Sequence, residues 1–145
     1  MKQINKFNLK IPSRSANESF ARTAVATFAA QLDPTVEEIS DIKTAVSEAV
    51  TNSIIHGYGD ANGVIEIMCK ICGNQIIIVV KDRGKGIEDV NLAMQPLYSG
   101  SPDEERSGMG FTVMESFMNS LKVDSTVGEG TCVTMTKRIG FEPYV

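Results

Sequence analysis

Val64-Ile65-Glu66-Ile67-Met68-Cys69-Lys70-Ile71-Cys72 is followed by Gly73-Asn74 and then Gln75-Ile76-Ile77-Ile78-Val79-Val80-Lys81-Asp82, and this stretch decides the fold. Both runs are rich in β-branched residues, and a two-residue Gly-Asn connection is a hairpin loop, so the pair reads as two antiparallel strands. Upstream, through Gly57-Tyr58-Gly59-Asp60-Ala61-Asn62-Gly63, the apolar period is helical. Val36, Ile39, Ile42, Val46, Val50 and Ile54 mark the buried stripe of a helix starting at Asp33-Pro34 and ending at Gly57. A shorter helix precedes it, with capping-box spacing at Ser15-Ala16-Asn17-Glu18 and an apolar stripe of Phe20, Ala24, Phe28 and Leu32. Ile4 to Ile11 reads as a first strand, stopped by Pro12.

Downstream of the hairpin, Arg83 to Gly110 loses any period among glycines, prolines and charges, which suits disorder or a functional lid. Phe111 to Leu121 reads as a helix, and Lys122 to Thr126 with Thr131 to Arg138 as a closing hairpin through Val127-Gly128-Glu129-Gly130. The order β, α, α, β, β, lid, α, β, β segregates strands from helices. It predicts an α+β fold, one sheet with helices on a single face.

Composition narrows the function. The 145 residues fit one domain spanning 1–145, with 42% hydrophobic residues, no repeat and no linker. Fourteen basic and eighteen acidic residues leave a net charge of −4, which argues against a nucleic-acid binder. The longest apolar run, Ile76 to Val80, is far too short to cross a membrane. Met1 to Lys6 has no signal-like apolar stretch, so a cytoplasmic protein with reduced thiols is expected. Cys69 and Cys72 have a metal-ligand spacing, but within a strand they point to opposite faces and read as small packing residues.

Four Gly-x-Gly pairs occur, at Gly57/Gly59, Gly84/Gly86, Gly108/Gly110 and Gly128/Gly130, and neither a dinucleotide fingerprint nor a P-loop accompanies them. Each suits a turn or a ligand loop. Asp82-Arg83-Gly84-Lys85-Gly86 follows an apolar strand, where a carboxylate beside glycines can accept from a base's amino group. Gly108-Met109-Gly110 precedes a helix, whose free N–H groups favour phosphate. Glu48 and Asn52 share a helix face. They read as a solvated pair, or as a general base with a neutral Mg²⁺ ligand. His56, the only histidine, lies near the helix end, where the C-terminal dipole accommodates it.

Taken together, Ser47-Glu48-Ala49-Val50-Thr51-Asn52, Asp82-x-Gly84-x-Gly86, Arg106-Ser107-Gly108-Met109-Gly110-Phe111 and Gly130-Thr131 resemble the ordered boxes of the gyrase, Hsp90, histidine-kinase and MutL ATPase superfamily. That resemblance implies a Bergerat-type two-layer sandwich, with a mixed, mostly antiparallel sheet and an ATP lid at about 88–110. Glu18 to Arg22, Gln31 to Pro34, Ser47 to Tyr58 and Glu105 to Thr112 closely resemble the anti-sigma F factor family of endospore-forming bacteria. The resemblance implies ATP and Mg²⁺ as cofactors, with Glu48 as base, Asn52 as metal ligand and Asp82, supported by Thr131, reading adenine. It implies Gly84 and Gly86 as the adenine wall, Gly108 and Gly110 on the phosphates, and Arg106 closing on the γ-phosphate. It further implies a homodimer that restrains a sporulation sigma factor, phosphorylates a serine of an anti-sigma factor antagonist, and contacts both through Arg22. Ser99-Gly100-Ser101-Pro102 departs from the Thr-Lys pair often found in that family's lid, which bears on lid closure and transfer rate. The alternatives are the related general-stress kinase and a module that holds ATP and only sequesters its partner.

Overall fold

The structure, a computed structural model, describes residues 4–95 and 110–140. Along the chain run β1 (Ile4–Pro12), α1 (Ala16–Ala29), a 3-10 turn (Ala30–Leu32), α2 (Val36–Asn52) and a π-helical turn (Ser53–Tyr58). They are followed by β2 (Val64–Cys72), β3 (Gln75–Asp82), α3 (Val90–Ala93), α4 (Gly110–Phe117), β4 (Ser120–Thr126) and β5 (Gly130–Arg138). The strands form one sheet in the order β1-β2-β3-β5-β4, and α1, α2 and α4 pack as the second layer. The α+β expectation holds, and the β2–β3 hairpin has the bounds its sequence predicts.

The sheet is not mixed. All four pairings are antiparallel, because β5 lies between β3 and β4, which run the same way and never meet. Register builds the core in rows across the inner face. Ile78, Met135 and Leu121 form one row, and Val80, Val133 and Val123 the next. The row after that is Asp82, Thr131 and Ser125, so the same face turns from apolar to polar within one step.

Two helices differ from their expected faces. In α1 the buried stripe is Ala21, Val25 and Ala29, while Phe20 is 54% exposed. Small residues let α1 approach α2 closely, and the larger Phe28 instead packs edge-on against Phe7 from β1, centroids 4.8 Å apart. Ser15 makes no side-chain cap, because its own backbone is already helical and Glu18 N–H bonds to its carbonyl at 3.2 Å, while the Glu18 side chain turns to Arg22 and Ser47. In α2, Asp33 ends the 3-10 turn in a left-handed conformation, and the cap is Thr35. Val36, expected in the stripe, is 88% exposed because it lies in the first turn, ahead of the sheet contact. The helix also runs past Gly57, through the π turn to Gly59. At the other end of the fold, α4 stops at Phe117 rather than Leu121, since Asn119 N–H already bonds to Thr136 O at 2.8 Å and Ser120 opens β4.

Glu38 joins the start of α2 to the end of the sheet. It completes a capping box with Thr35 and accepts from Gly140 N–H at 3.0 Å. Burial pushes its carboxyl up, but the backbone N–H groups of Thr35 and Gly140, the Thr35 hydroxyl and the Lys137 charge outweigh this and hold it below the usual value of 4.5. A depressed folded-state pKa stabilises above the unfolded value, and the contribution fades as pH falls through the folded one. Glu38→Ala should cost about 1 kcal/mol at pH 7 by urea denaturation. The difference from the parent should shrink below about pH 4.5. An equal difference at both pH values would remove Glu38 from the clamp.

Candidate functional site

A cavity of about 640 Å³ opens where the inner face of the sheet turns polar. Ala49, Asn52, Ser53 and His56 line one wall from α2 and the π turn, at helical positions i, i+3, i+4 and i+7. Asp82 ends β3 beneath them, the loop after it adds Lys85, Gly86 and Ile87, and β5 adds Thr131 and Val133. Phe111 of α4 and Leu92 and Ala93 of α3 complete an apolar side. The mixture of apolar wall and few polar groups is that of a small-molecule site.

Asp82 is the most constrained polar group there, only 4% exposed. Its Oδ1 accepts from Gly84 N–H at 2.9 Å and Thr131 N–H at 3.3 Å, and its Oδ2 from the Ser53 hydroxyl at 2.7 Å. Burial without such partners would cost several kcal/mol, about 2–7 for a polar group and more for a charge. Close backbone approach makes the arrangement possible. A Cβ on Gly84 would lie 2.2 Å from Gly57 O, and one on Gly130 would lie 2.1 Å from Asp82 O. Lys85 N–H bonds to Gly57 O at 2.9 Å, tying the loop to the π turn. Tyr58 braces the same corner, accepting from Arg83 N–H at 2.7 Å and donating to Val64 O at 2.6 Å.

Glu48 and Asn52 meet the first residue of α4. A Cβ on Gly110 would stand 3.1 Å from Asn52 Nδ2 and 3.4 Å from Glu48 Oε1, so a carboxylate, an amide and a helix N-terminus share one spot. Of the residues expected from sequence, Asn52, Asp82, Gly86 and Thr131 line the cavity, Gly84 donates its N–H to Asp82, and Gly110 adjoins Asn52 and Glu48. Thr131 reaches Asp82 through its backbone N–H, while its hydroxyl pairs with Ser125 Oγ at 2.7 Å. Arg106, Gly108 and most of the expected lid lie outside the described residues. The described part of that stretch contains α3, capped by Asp89 through Leu92 N–H at 3.1 Å.

Ser53 was not among the expected residues. Its signal was a polar residue three positions after Val50 in an otherwise apolar stripe, which at 5% exposure requires a buried partner. Since Ala21, not Phe20, faces the core, Arg22 lies toward α2, its side chain 37% exposed. It bonds to Glu18 at 3.2 Å and Ser47 Oγ at 3.4 Å, and Ser47 donates in turn to Glu18. Neither Cys69 nor Cys72 lines the cavity. Cys69 is buried on the inner face, where desolvation pushes its thiol up to about 12, and Cys72 points to the outer face.

Residues 11–137 match the family described as histidine kinase-like ATPase domain. A protein named anti-sigma F factor from Thermoanaerobacter sp. (strain X514) is 63% identical over 140 residues, covering 97% of this chain and 98% of that protein. One of the same name from Clostridium novyi (strain NT) is 61% identical, covering 93% of this chain and 95% of its own length. The crystal structure of the RsbU and RsbW domains of a Mycobacterium tuberculosis protein superposes with a TM-score of 0.68 at 20% identity. That likeness covers 93% of this chain and 32% of the longer one, and it speaks to fold alone. On this sheet, this strand-end carboxylate and near full-length identity, the chain belongs to the histidine kinase-like ATPase domain family and, within it, to the anti-sigma F factors.

Proposed function

We propose that the chain is an anti-sigma factor that binds and inhibits a sporulation sigma factor and, as an ATP-dependent serine protein kinase, phosphorylates and inactivates its anti-sigma factor antagonist. The relatives' shared name supports the first half. The observation that carries the second is Glu48 and Asn52 meeting at Gly110 beside a cavity with a buried carboxylate. The cavity's volume of about 640 Å³ and its glycine-walled Asp82 fit a nucleotide.

Bound ATP with Mg²⁺ supplies the transferable phosphoryl group. Asp82 accepts from the adenine amino group, Gly84 and Gly86 let the base approach the backbone, and Thr131 supports Asp82. Asn52 would hold Mg²⁺ through its amide oxygen, and the ion, which takes few protein ligands, would supply charge neutralisation at the phosphates. The α4 N-terminus at Gly110, with Gly108 before it, offers N–H groups to phosphate, and Arg106 neutralises the γ-phosphate. Glu48 takes the proton of the attacking serine hydroxyl. The protein acts as a homodimer in the cytoplasm, where sigma factors work, and Arg22 contacts both partners from the α1–α2 seam.

Incubation with labelled ATP and candidate antagonists tests the whole reading. Label on an antagonist serine is expected, and sigma-factor binding without any label transfer would leave only the sequestration module. Glu48→Gln should retain nucleotide but slow phosphorylation by roughly 10²-fold or more. Parent-like transfer would remove Glu48 as base. Asp82→Asn turns an amide donor toward either Ser53 or the ligand's own donor, so calorimetry should show a large loss of ATP affinity. Unchanged affinity in a folded variant would move the adenine site elsewhere. Arg22→Glu sets a second acid beside Glu18 and Ser47. It should leave ATP binding intact and weaken each partner complex by roughly 2 kcal/mol or more in surface plasmon resonance. Parent-like affinity would return Arg22 to a purely helix-pairing role.

A further inference from the structure

The loop from Arg83 to Ile87 is held at both ends by side-chain oxygens. At its start, Arg83 N–H donates to Tyr58 Oη at 2.7 Å, and the phenol donates onward to Val64 O at 2.6 Å. At its end, Ile87 N–H donates to Ser125 Oγ at 2.8 Å. That oxygen is itself seated 3.0 Å from Gly130 O and 2.7 Å from Thr131 Oγ1. Backbone bonds pin the middle: Lys85 N–H donates to Gly57 O and Lys85 O accepts from Gly128 N–H, each at 2.9 Å. Gly86, at φ 79°, runs so close to the β4–β5 hairpin that a Cβ there would stand 2.3 Å from Thr126 O. Loops are ordinarily the mobile part of a fold, yet the π turn, β2 and the β4–β5 hairpin together hold this one in a single path. Lys85, Gly86 and Ile87 line the cavity, whereas Tyr58 and Ser125 do not.

We infer that Tyr58 and Ser125 are positioning residues that hold the loop after β3 in its ligand-ready path, and that this order sets how tightly the cavity keeps a nucleotide. The inference rests on the nucleotide reading given above and extends it to two side chains that act through the loop alone. A wall that is ordered before the ligand arrives removes part of the ordering cost from binding. Tyr58 fixes the loop where it leaves Asp82, and Ser125 fixes it just before the chain passes to Asp89 and α3. Because the loop adjoins Asp82 and not Gly110, its order bears equally on ligands that differ only in their phosphates.

Two measurements on the full chain test this. In the ligand-free protein, amide hydrogen exchange followed by NMR reads the order of the loop directly. Tyr58→Phe keeps the ring that covers Gly63 and loses only the hydroxyl, so the Arg83 amide should exchange roughly tenfold faster or more. Ser125→Ala should do the same to the Ile87 amide. Calorimetry with ATP and with ADP then separates affinity from the fraction of competent protein. Each variant should bind both nucleotides about fivefold more weakly, the worth of one hydrogen bond, at unchanged stoichiometry. Ser125→Thr, which keeps a hydroxyl on the strand, should restore both exchange and affinity. Unchanged exchange, parental affinity despite faster exchange, a lower stoichiometry at parental affinity, or a loss confined to ATP would each overturn the inference and leave nucleotide binding standing. A parent that binds neither nucleotide would overturn both. Should Tyr58→Phe unfold at the assay temperature, the Ser125 pair decides alone, since it lies on a different element.

Discussion

A carboxylate buried at a strand end must be met by donors or driven out to water, and the cavity corner of this fold is arranged around meeting Asp82. Its partners come from three elements: a hydroxyl from the π turn, an N–H from the loop it opens, and an N–H from β5. None of these reaches it unless the backbones of Gly57, Gly84 and Gly130 close in where a side chain would collide. The glycines therefore serve packing around one charged group as much as the freedom of a loop.

The π turn is the second constraint. Gly59 N–H bonds to Ile54 O, five residues back, which widens the helix just after Asn52. The widened turn carries Ser53 against Asp82 and offers Gly57 O to Lys85 N–H. An extra residue per turn disturbs regular helical bonding, and the bonds to the strand-end loop offset that disturbance. One helix thus delivers Glu48 and Asn52 toward α4 and Ser53 toward the sheet, two directions that a straight helix of this length would separate less cleanly.

The α1–α2 seam shows how tertiary packing overrides local preference. Glu18 has the spacing to cap its own helix, yet it pairs with Arg22 one turn on and with Ser47 across the seam. Alanines at 21 and 29 draw the helices together, which brings those polar groups within reach and turns Phe20 outward.

By itself the sequence determined the hairpin from Val64 to Asp82, the helical course of Val36 to Asn52, and the order that makes the fold α+β. These are short-range properties, set by period-2 and period-3.6 patterning and by a two-residue turn. That Glu48, Asn52, Asp82 and Thr131 belong to one site came from the family resemblance rather than from local pattern; in the fold Asn52, Asp82 and Thr131 line one cavity, and Glu48 stands with Asn52 at Gly110. The tertiary structure alone decided the face of α1, the wholly antiparallel order with β5 inside the sheet, and Ser53 as a partner of Asp82. Each of those depends on contacts between residues far apart in the chain, such as Ser53 with Asp82 or Asp82 with Thr131, whose free energies no local pattern encodes.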